Sequence, residues 1–222
     1  ANTLEHFRIG SVGKPASGTE VKIASDGEIL IRGPQVMKGY YNKPEATASV
    51  IDTEGWFATG DIGHIDGEGF LYITDRKKDL IVTGGGKNIA PQPIENRLKT
   101  NMFVEQAVII GDRRPYLVLL IVPATEPLQQ WASQNGVEWS SFEELVTNQE
   151  VLSHLERETL GELSGLASFE IPKKIALLSE ELSIENGMLT PTLKVKRSLV
   201  EERFKAVIEQ LYTGAVADKT AS

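Results

Sequence analysis

A run of five charged residues, Asp75-Arg76-Lys77-Lys78-Asp79, divides the sequence into two stretches with different rhythms. Ahead of it, short apolar and aromatic runs are separated by Gly-rich turns, the pattern of an antiparallel sheet or small barrel. Behind it, strand-length apolar runs alternate with segments of helical period. The sequence therefore predicts an α+β fold in two parts. Charged, solvated backbone suits a boundary between domains. The 222 residues are enough for one large or two small domains. We place a β-rich part at 1–77, an α+β part at 78–212 and a disordered tail at 213–222, where the residues turn small and polar.

In the first part, Glu28 to Arg32 reads as a strand bounded by Asp26-Gly27 and Gly33-Pro34, and Pro44 opens a short helix through Ser49. Trp56-Phe57-Ala58 is a second strand, and Gly63 to Ile65 and Phe70 to Ile73 flank Asp66-Gly67-Glu68-Gly69 as a hairpin. Ser11-Val12-Gly13-Lys14-Pro15 reads as material from the middle of a fold, so upstream partners are expected. In the second part, Leu80 to Val82 and Lys87 to Ile89 flank a glycine run, and a helix follows near Pro93 to Lys99. Val104 to Ile110 and Tyr116 to Val122 pair around Gly111 to Pro115. Helices are expected at Pro127 to Gln134 and Asn148 to Leu163, and a strand at Lys173 to Leu178. Three or more strands would then be covered by helices on one or both faces. The last helix opens on a capping box of Ser198 and Glu201 and repeats Val200, Phe204, Val207, Ile208 and Leu211 on one face.

Composition removes several functions. The formal net charge of −8 argues against a general nucleic-acid binder, because phosphate backbones demand clustered Lys and Arg. With no cysteine, disulfides, thiolate nucleophiles and Cys-ligated zinc are excluded, which fits a cytoplasmic protein. The longest apolar run, Tyr116 to Pro123, is strand length, far from the ~20 residues that span a bilayer. Peripheral contact with a membrane surface is left open. His6, His64 and His154 are scattered without metal-ligand spacing, and no metal site is expected.

Three short motifs each carry two readings. Thr59-Gly60-Asp61 is by itself a turn, or else a carboxylate at a strand end that accepts the hydroxyls of a ribose. The charged run followed by Gly84-Gly85-Gly86-Lys87 is a solvated linker and flexible hairpin, or else glycine backbone that a ligand can approach. It has neither Walker nor dinucleotide spacing. Lys194, Lys196 and Arg197 precede the last helix, where cations oppose the helix dipole at a cost of a few tenths to ~1 kcal/mol. Three cations placed there point to an anion to be neutralised.

Taken in order, these motifs together with Gly27 to Gly33, Gly39-Tyr40-Tyr41 and Leu193 to Arg197 resemble the second half of the adenylate-forming enzymes. That superfamily includes acyl-CoA synthetases, luciferases and peptide-synthetase adenylation domains. The resemblance spans about Ser11 to Phe204, and the stretches Asp75 to Pro91 and Leu189 to Arg197 are similar to the long-chain fatty-acid–CoA ligase branch. Leu193 stands where many members carry Gly, and Gly84 where a serine is common.

The resemblance implies a β-rich remnant of the large domain's barrel region followed by the small mobile C-terminal lid. It implies that Asp61 binds the ribose of ATP, Ile73 packs on the nucleoside and Arg76 contacts ribose or phosphate. Lys78 would be the hinge. Lys194 would bridge the fatty carboxylate and the α-phosphate, with Mg2+ assisting. Gly84 and Gly85 would face the site during thioester formation, near CoA. The expected partners are fatty acid, ATP, CoA and the upstream part of the same polypeptide, without which this chain is expected to be inactive. The alternatives are a fatty acyl-AMP ligase, an aryl or amino-acid activator, or a non-catalytic nucleotide-binding module. The trio Asp61, Arg76 and Lys194 argues against the last, because packing does not require it.

Overall fold

The computed structural model describes residues 1–4 and 6–217. The chain divides into two compact units, Ala1–Leu80 and Ile81–Ser222. Both are mixed or β structures, and the whole is α+β.

The first unit is a four-stranded antiparallel meander of β1 (Glu20–Ile23), β2 (Glu28–Arg32), β3 (Phe57–Ile65) and β4 (Leu71–Arg76). A short helix, α1 (Pro44–Ala48), starts at its proline as expected. Strand β1 was not foreseen. Its four residues alternate between exposed and half-buried, and pairing with β2 supplies what their own pattern does not. The two expected strands at Trp56–Ala58 and Gly63–Ile65 are one strand, β3, with Thr59-Gly60-Asp61 inside it. The sheet's tight turns share a device. Asp52 Oδ1 accepts the N–H of Glu54 and Trp56, and Asp66 Oδ1 that of Glu68 and Phe70, with Gly55 and Gly69 left-handed at the following position. The charged run is not a free linker. Asp75 and Arg76 end β4, Asp75 is buried, and Lys77–Asp79 form one 3-10 turn.

In the second unit, β5 (Ile81–Val82) and β6 (Asn88–Ile89) form a hairpin that leads into α2 (Pro91–Leu98). The central sheet has β7 (Val104–Ile110), β8 (Val118–Pro123) and β9 (Lys174–Leu177), antiparallel between β7 and β8 and parallel between β8 and β9. The connection from β8 to β9 passes through α3 (Thr125–Gln134), α4 (Phe142–Thr147) and α5 (Gln149–Glu162). Helix α4 was not foreseen. Its Ser141 cap accepts from Glu144 N, as Asn148 caps α5.

Helices cover both faces of this sheet, which is why β8 is apolar at every position. Leu117, Leu119 and Ile121 face a core completed by α2, α3, α4 and α5, while Val118, Leu120 and Val122 face a second core. The second core is closed by Val200, Phe204, Ile208 and Tyr212. Val200 lies on α6 (Arg197–Arg203) and Ile208 and Tyr212 on α7 (Lys205–Ala217), with Phe204 at the break between the two helices rather than on one continuous helix. The expected capping box does not form. Lys196 is the cap residue and makes no side-chain cap bond, so Ser198 already lies inside α6. The tail expected from 213 begins inside α7, and residues 218–222 lie outside the described residues.

Candidate functional site

In the first unit, Asp61 and Arg76 are direct cross-strand partners on β3 and β4, with Arg76 Nε 2.6 Å from Asp61 Oδ1. Two irregularities put them there. Between the pairs Glu28↔Ile62 and Leu30↔Ala58, Thr59-Gly60-Asp61 lies opposite Ile29 alone, so the tripeptide bulges out of β3. Gly60 takes the left-handed conformation this requires, with φ +72°. The carboxylate therefore stands within a bulged strand rather than at a strand end. The second irregularity lies between Ile62↔Asp75 and Gly63↔Ile73, which leaves Thr74 as the extra residue of β4. Without it, alternation would put Ile73 and Arg76 on opposite faces. With it, Ile73 shares the face of Asp61 and Arg76, and it is 47% exposed while Asp75 is turned inward. The three residues expected at the nucleotide are thus brought to one face.

Glu28 ties the bulge to the end of β4. It is buried, its Oε1 accepts Gly60 N–H at 2.9 Å, and its Oε2 accepts Lys77 Nζ at 2.8 Å. Lys77 also meets Asp26 at 2.7 Å. Hydrogen bonds to Asp26 and then Glu28 push its pKa up to about 12, and the same bond holds the Asp26 carboxyl below its ordinary value. Nothing local in the sequence marks Glu28 beyond its place at the start of β2, because its partners lie 32 and 49 positions away. Lys78, the expected hinge, is exposed in the 3-10 turn one residue beyond this anchor.

In the second unit, Gly84 and Gly85 sit in the β5–β6 hairpin loop. Gly84 donates its N–H to Arg114 O at 2.7 Å, and Gly86 donates to Thr83 O at 2.8 Å. Those two donors are engaged inside the protein, so the loop is not a ready phosphate cradle. A Cβ at Gly84 would lie 3.3 Å from Arg114 O, a tight fit for a side chain there.

Lys194 stands on another hairpin. Leu189 bridges Val195, Thr190 N donates to Lys194 O at 2.8 Å, and Leu193 N donates to Thr190 O at 2.8 Å. Pro191-Thr192-Leu193 is thus a three-residue loop whose last position is left-handed, with Leu193 at φ +59°. That position favours glycine, and Leu193 occupies it while 67% exposed. Lys194 is exposed and has no ion-pair partner among the described residues. The cation group read before the last helix separates into two kinds. Lys194 and Lys196 are exposed, whereas Arg197 is matched inside the fold by the buried Glu95. An open depression of about 570 Å³ lined by Lys38, Tyr40, Lys43 and Thr47 contains none of these residues. Among the described residues, no helix is long and apolar enough to cross a membrane.

Residues 78–216 match the model of the AMP-binding enzyme C-terminal domain, and the chain belongs to that family. Among curated relatives, it is 39% identical over 207 residues to the long-chain-fatty-acid–CoA ligase FadD15 of Mycobacterium tuberculosis, covering 93% of this chain and 34% of the relative. It is also 39% identical over 220 residues to human long-chain-fatty-acid–CoA ligase 6, covering 92% and 31%. The chain thus spans about a third of the length of these relatives. Among solved structures, it is similar to the A-PCP didomain of carboxylic acid reductase from Segniliparus rugosus in complex with AMP. The TM-score is 0.67 at 24% identity, over 93% of this chain and 29% of that one, a likeness of fold alone. It is also similar to O-succinylbenzoate coenzyme A synthetase from Bacillus subtilis in complex with AMP, with a TM-score of 0.54 at 30% identity over 86% and 35%.

Proposed function

We propose that this chain is the C-terminal part of an ATP-dependent long-chain fatty-acid–CoA ligase. The observation that carries the reading is Lys194, an ammonium without an ion-pair partner among the described residues, presented on a tight hairpin of the family domain. In the reaction, a carboxylate oxygen attacks the α-phosphorus of ATP, the bond to pyrophosphate breaks, and an acyl-adenylate forms. The CoA thiol then attacks the acyl carbonyl, and AMP leaves. The first step brings two anions together. A lysine about 4 Å from such an anion contributes roughly 4 kcal/mol at an effective dielectric near 20. Lys194 would supply that charge where it develops.

Asp61 would accept ribose hydroxyls while Arg76 holds its other oxygen, and Ile73 would pack on the nucleoside from the same face. Lys78 would be the pivot that lets the second unit present Lys194 for one step and the Gly84–Gly85 loop for the other. Mg2+ would enter with ATP. Among the described residues, no group of three or more His, Asp or Glu is placed to hold a metal ion. On this reading the chain needs the rest of its polypeptide and does not turn over alone. The long-chain substrate and the CoA acceptor are supported by the relatives' names and by their similarity over nearly the whole chain.

The test uses the full-length ligase carrying Lys194→Ala, with the half-reactions assayed separately. Fatty-acid-dependent pyrophosphate release should be lost, while thioester formation from supplied acyl-adenylate survives. Pyrophosphate release at the parent rate would remove Lys194 from the chemistry.

A further inference from the structure

Strand β7 is an edge of the central sheet, yet its outer side is occupied by side chains rather than by another strand. At Ile109, the backbone N–H donates to Glu95 Oε1 at 2.9 Å, and the carbonyl accepts Arg197 Nε at 2.8 Å. Glu95 and Arg197 also pair with each other, and Glu95 is buried. Three residues back on β7, the Gln106 side chain accepts Leu182 N–H at 2.7 Å and donates to Leu182 O at 2.8 Å. These two contacts grip the two ends of a single segment, Leu182 to Arg197. Within it, Lys196 N donates to Met188 O at 2.8 Å and Leu189 N to Ser183 O at 2.9 Å, so the hairpin carrying Lys194 is rooted between the two grips. Met188 and Leu189 are buried in the core behind it, whereas Leu193 and Lys194 project into solvent.

We infer that Gln106, Glu95 and Arg197 are positioning residues that hold the Lys194 hairpin against β7 and so fix where its ammonium is delivered. The inference rests on the role proposed for Lys194. A brace at both ends has a physical rationale. A long, flexible lysine side chain is placed only as well as the backbone beneath it, and a displacement of about 1 Å costs up to roughly 100-fold in rate. The segment's packing into the second core, through Leu182, Met188 and Leu189, seals the hairpin's base, and the polar contacts to β7 add direction to that packing. Gln106 fixes one end by matching both the N–H and the C=O of Leu182, and at the other end Arg197 donates to the Ile109 carbonyl and pairs with Glu95, which itself accepts the Ile109 N–H.

The experiment compares Gln106→Ala, Arg197→Lys and Lys194→Ala in the full-length ligase. Gln106→Ala is the primary variant, because it leaves no buried charge unpaired and keeps the test open if Arg197→Lys fails to fold. The expected result is a fall of about 10- to 100-fold in kcat for fatty-acid-dependent pyrophosphate release. The KM for ATP and the rate of thioester formation from supplied acyl-adenylate should stay within about twofold. Adding Gln106→Ala to Lys194→Ala should cause no further loss, because both act through the same ammonium. Equal losses in both half-reactions, an additive double variant, or adenylation at the parent rate would each overturn the positioning role. If Lys194→Ala itself keeps adenylation, the reading of Lys194 fails first. If it loses adenylation while Gln106→Ala does not, only the brace fails.

Discussion

Gly63 offers a sharp test of the two-bulge geometry that gathers Asp61, Ile73 and Arg76. It lies opposite Ile73 at the point where β3 and β4 change register. A methyl group there would sit 2.1 Å from Tyr72 O and 2.8 Å from Ile29 Cδ1. For the first contact to reach the 3.0 Å that real Cβ atoms keep, β3 and β4 must separate by roughly 1 Å. Separation weakens the neighbouring ladder bonds, each contributing about 0.5–1.5 kcal/mol. Crowding against Ile29 adds about 1–3 kcal/mol. Gly63→Ala should therefore destabilise the first unit by about 3 kcal/mol. Gly67→Ala is the control, since a Cβ there meets nothing within 4 Å and the backbone is not left-handed. It should change stability by less than about 0.5 kcal/mol. Native-state hydrogen exchange on peptides from 57–76 measures the local opening free energy, and peptides from 104–123 serve as an internal reference. Exchange in Gly63→Ala that matches Gly67→Ala would refute the claim that the 63↔73 pairing requires glycine.

Leu193→Gly should leave stability unchanged or raise it by up to about 1 kcal/mol. Relief of the left-handed strain, about 1–2 kcal/mol, is offset by the greater entropy of glycine in the unfolded chain. Leu193→Val should instead lower stability, and urea midpoints at constant m-value would show both. His154 is buried, stacked on Trp131 at 4.1 Å and edge-on to Phe103 at 4.9 Å, with Nδ1 near Arg157 and Glu158 and Nε2 without a partner among the described residues. Burial holds its pKa below the ordinary 6.5, so the unfolded chain binds the proton first and stability falls as pH drops below 6.5. His154→Phe should remove that slope, at most about 1.4 kcal/mol per pH unit, and an unchanged slope between pH 6.5 and 5 would remove His154 as its source.

Much of the second unit was legible because its signals are local. Val104–Ile110 and Val118–Pro123 are apolar, β-branched runs of strand length, and the first is bounded by Gly111. The helices at Pro91, Thr125 and Gln149 are marked by proline, amphipathic period or an Asn cap. The order of motifs was also enough to identify the family. What local pattern could not show was β1, whose four residues become a strand only when β2 pairs with them. Nor could it show that the Val200–Leu211 stripe spans two helices, since the break at Phe204 preserves the apolar face.

The sequence by itself determined the α+β class, the change of architecture near residue 80, the strand-length apolar runs of the central sheet and the residue types offered to chemistry. Each of these follows from near-neighbour pattern and from how much apolar surface must leave water. Only the tertiary structure decided which of those residues meet. The extra residue Thr74 turns Ile73 to the face of Arg76, and Glu28 reaches 32 residues to hold Gly60. Arg197, read from sequence as one of three cations awaiting an anion, is already matched by Glu95 from a helix 102 positions earlier. Register and charge pairing depend on contacts between distant segments, and a one-residue slip reverses which face a side chain occupies. The chain's local pattern names the candidates, and the packed sheet sorts those that hold the fold from those left free to act.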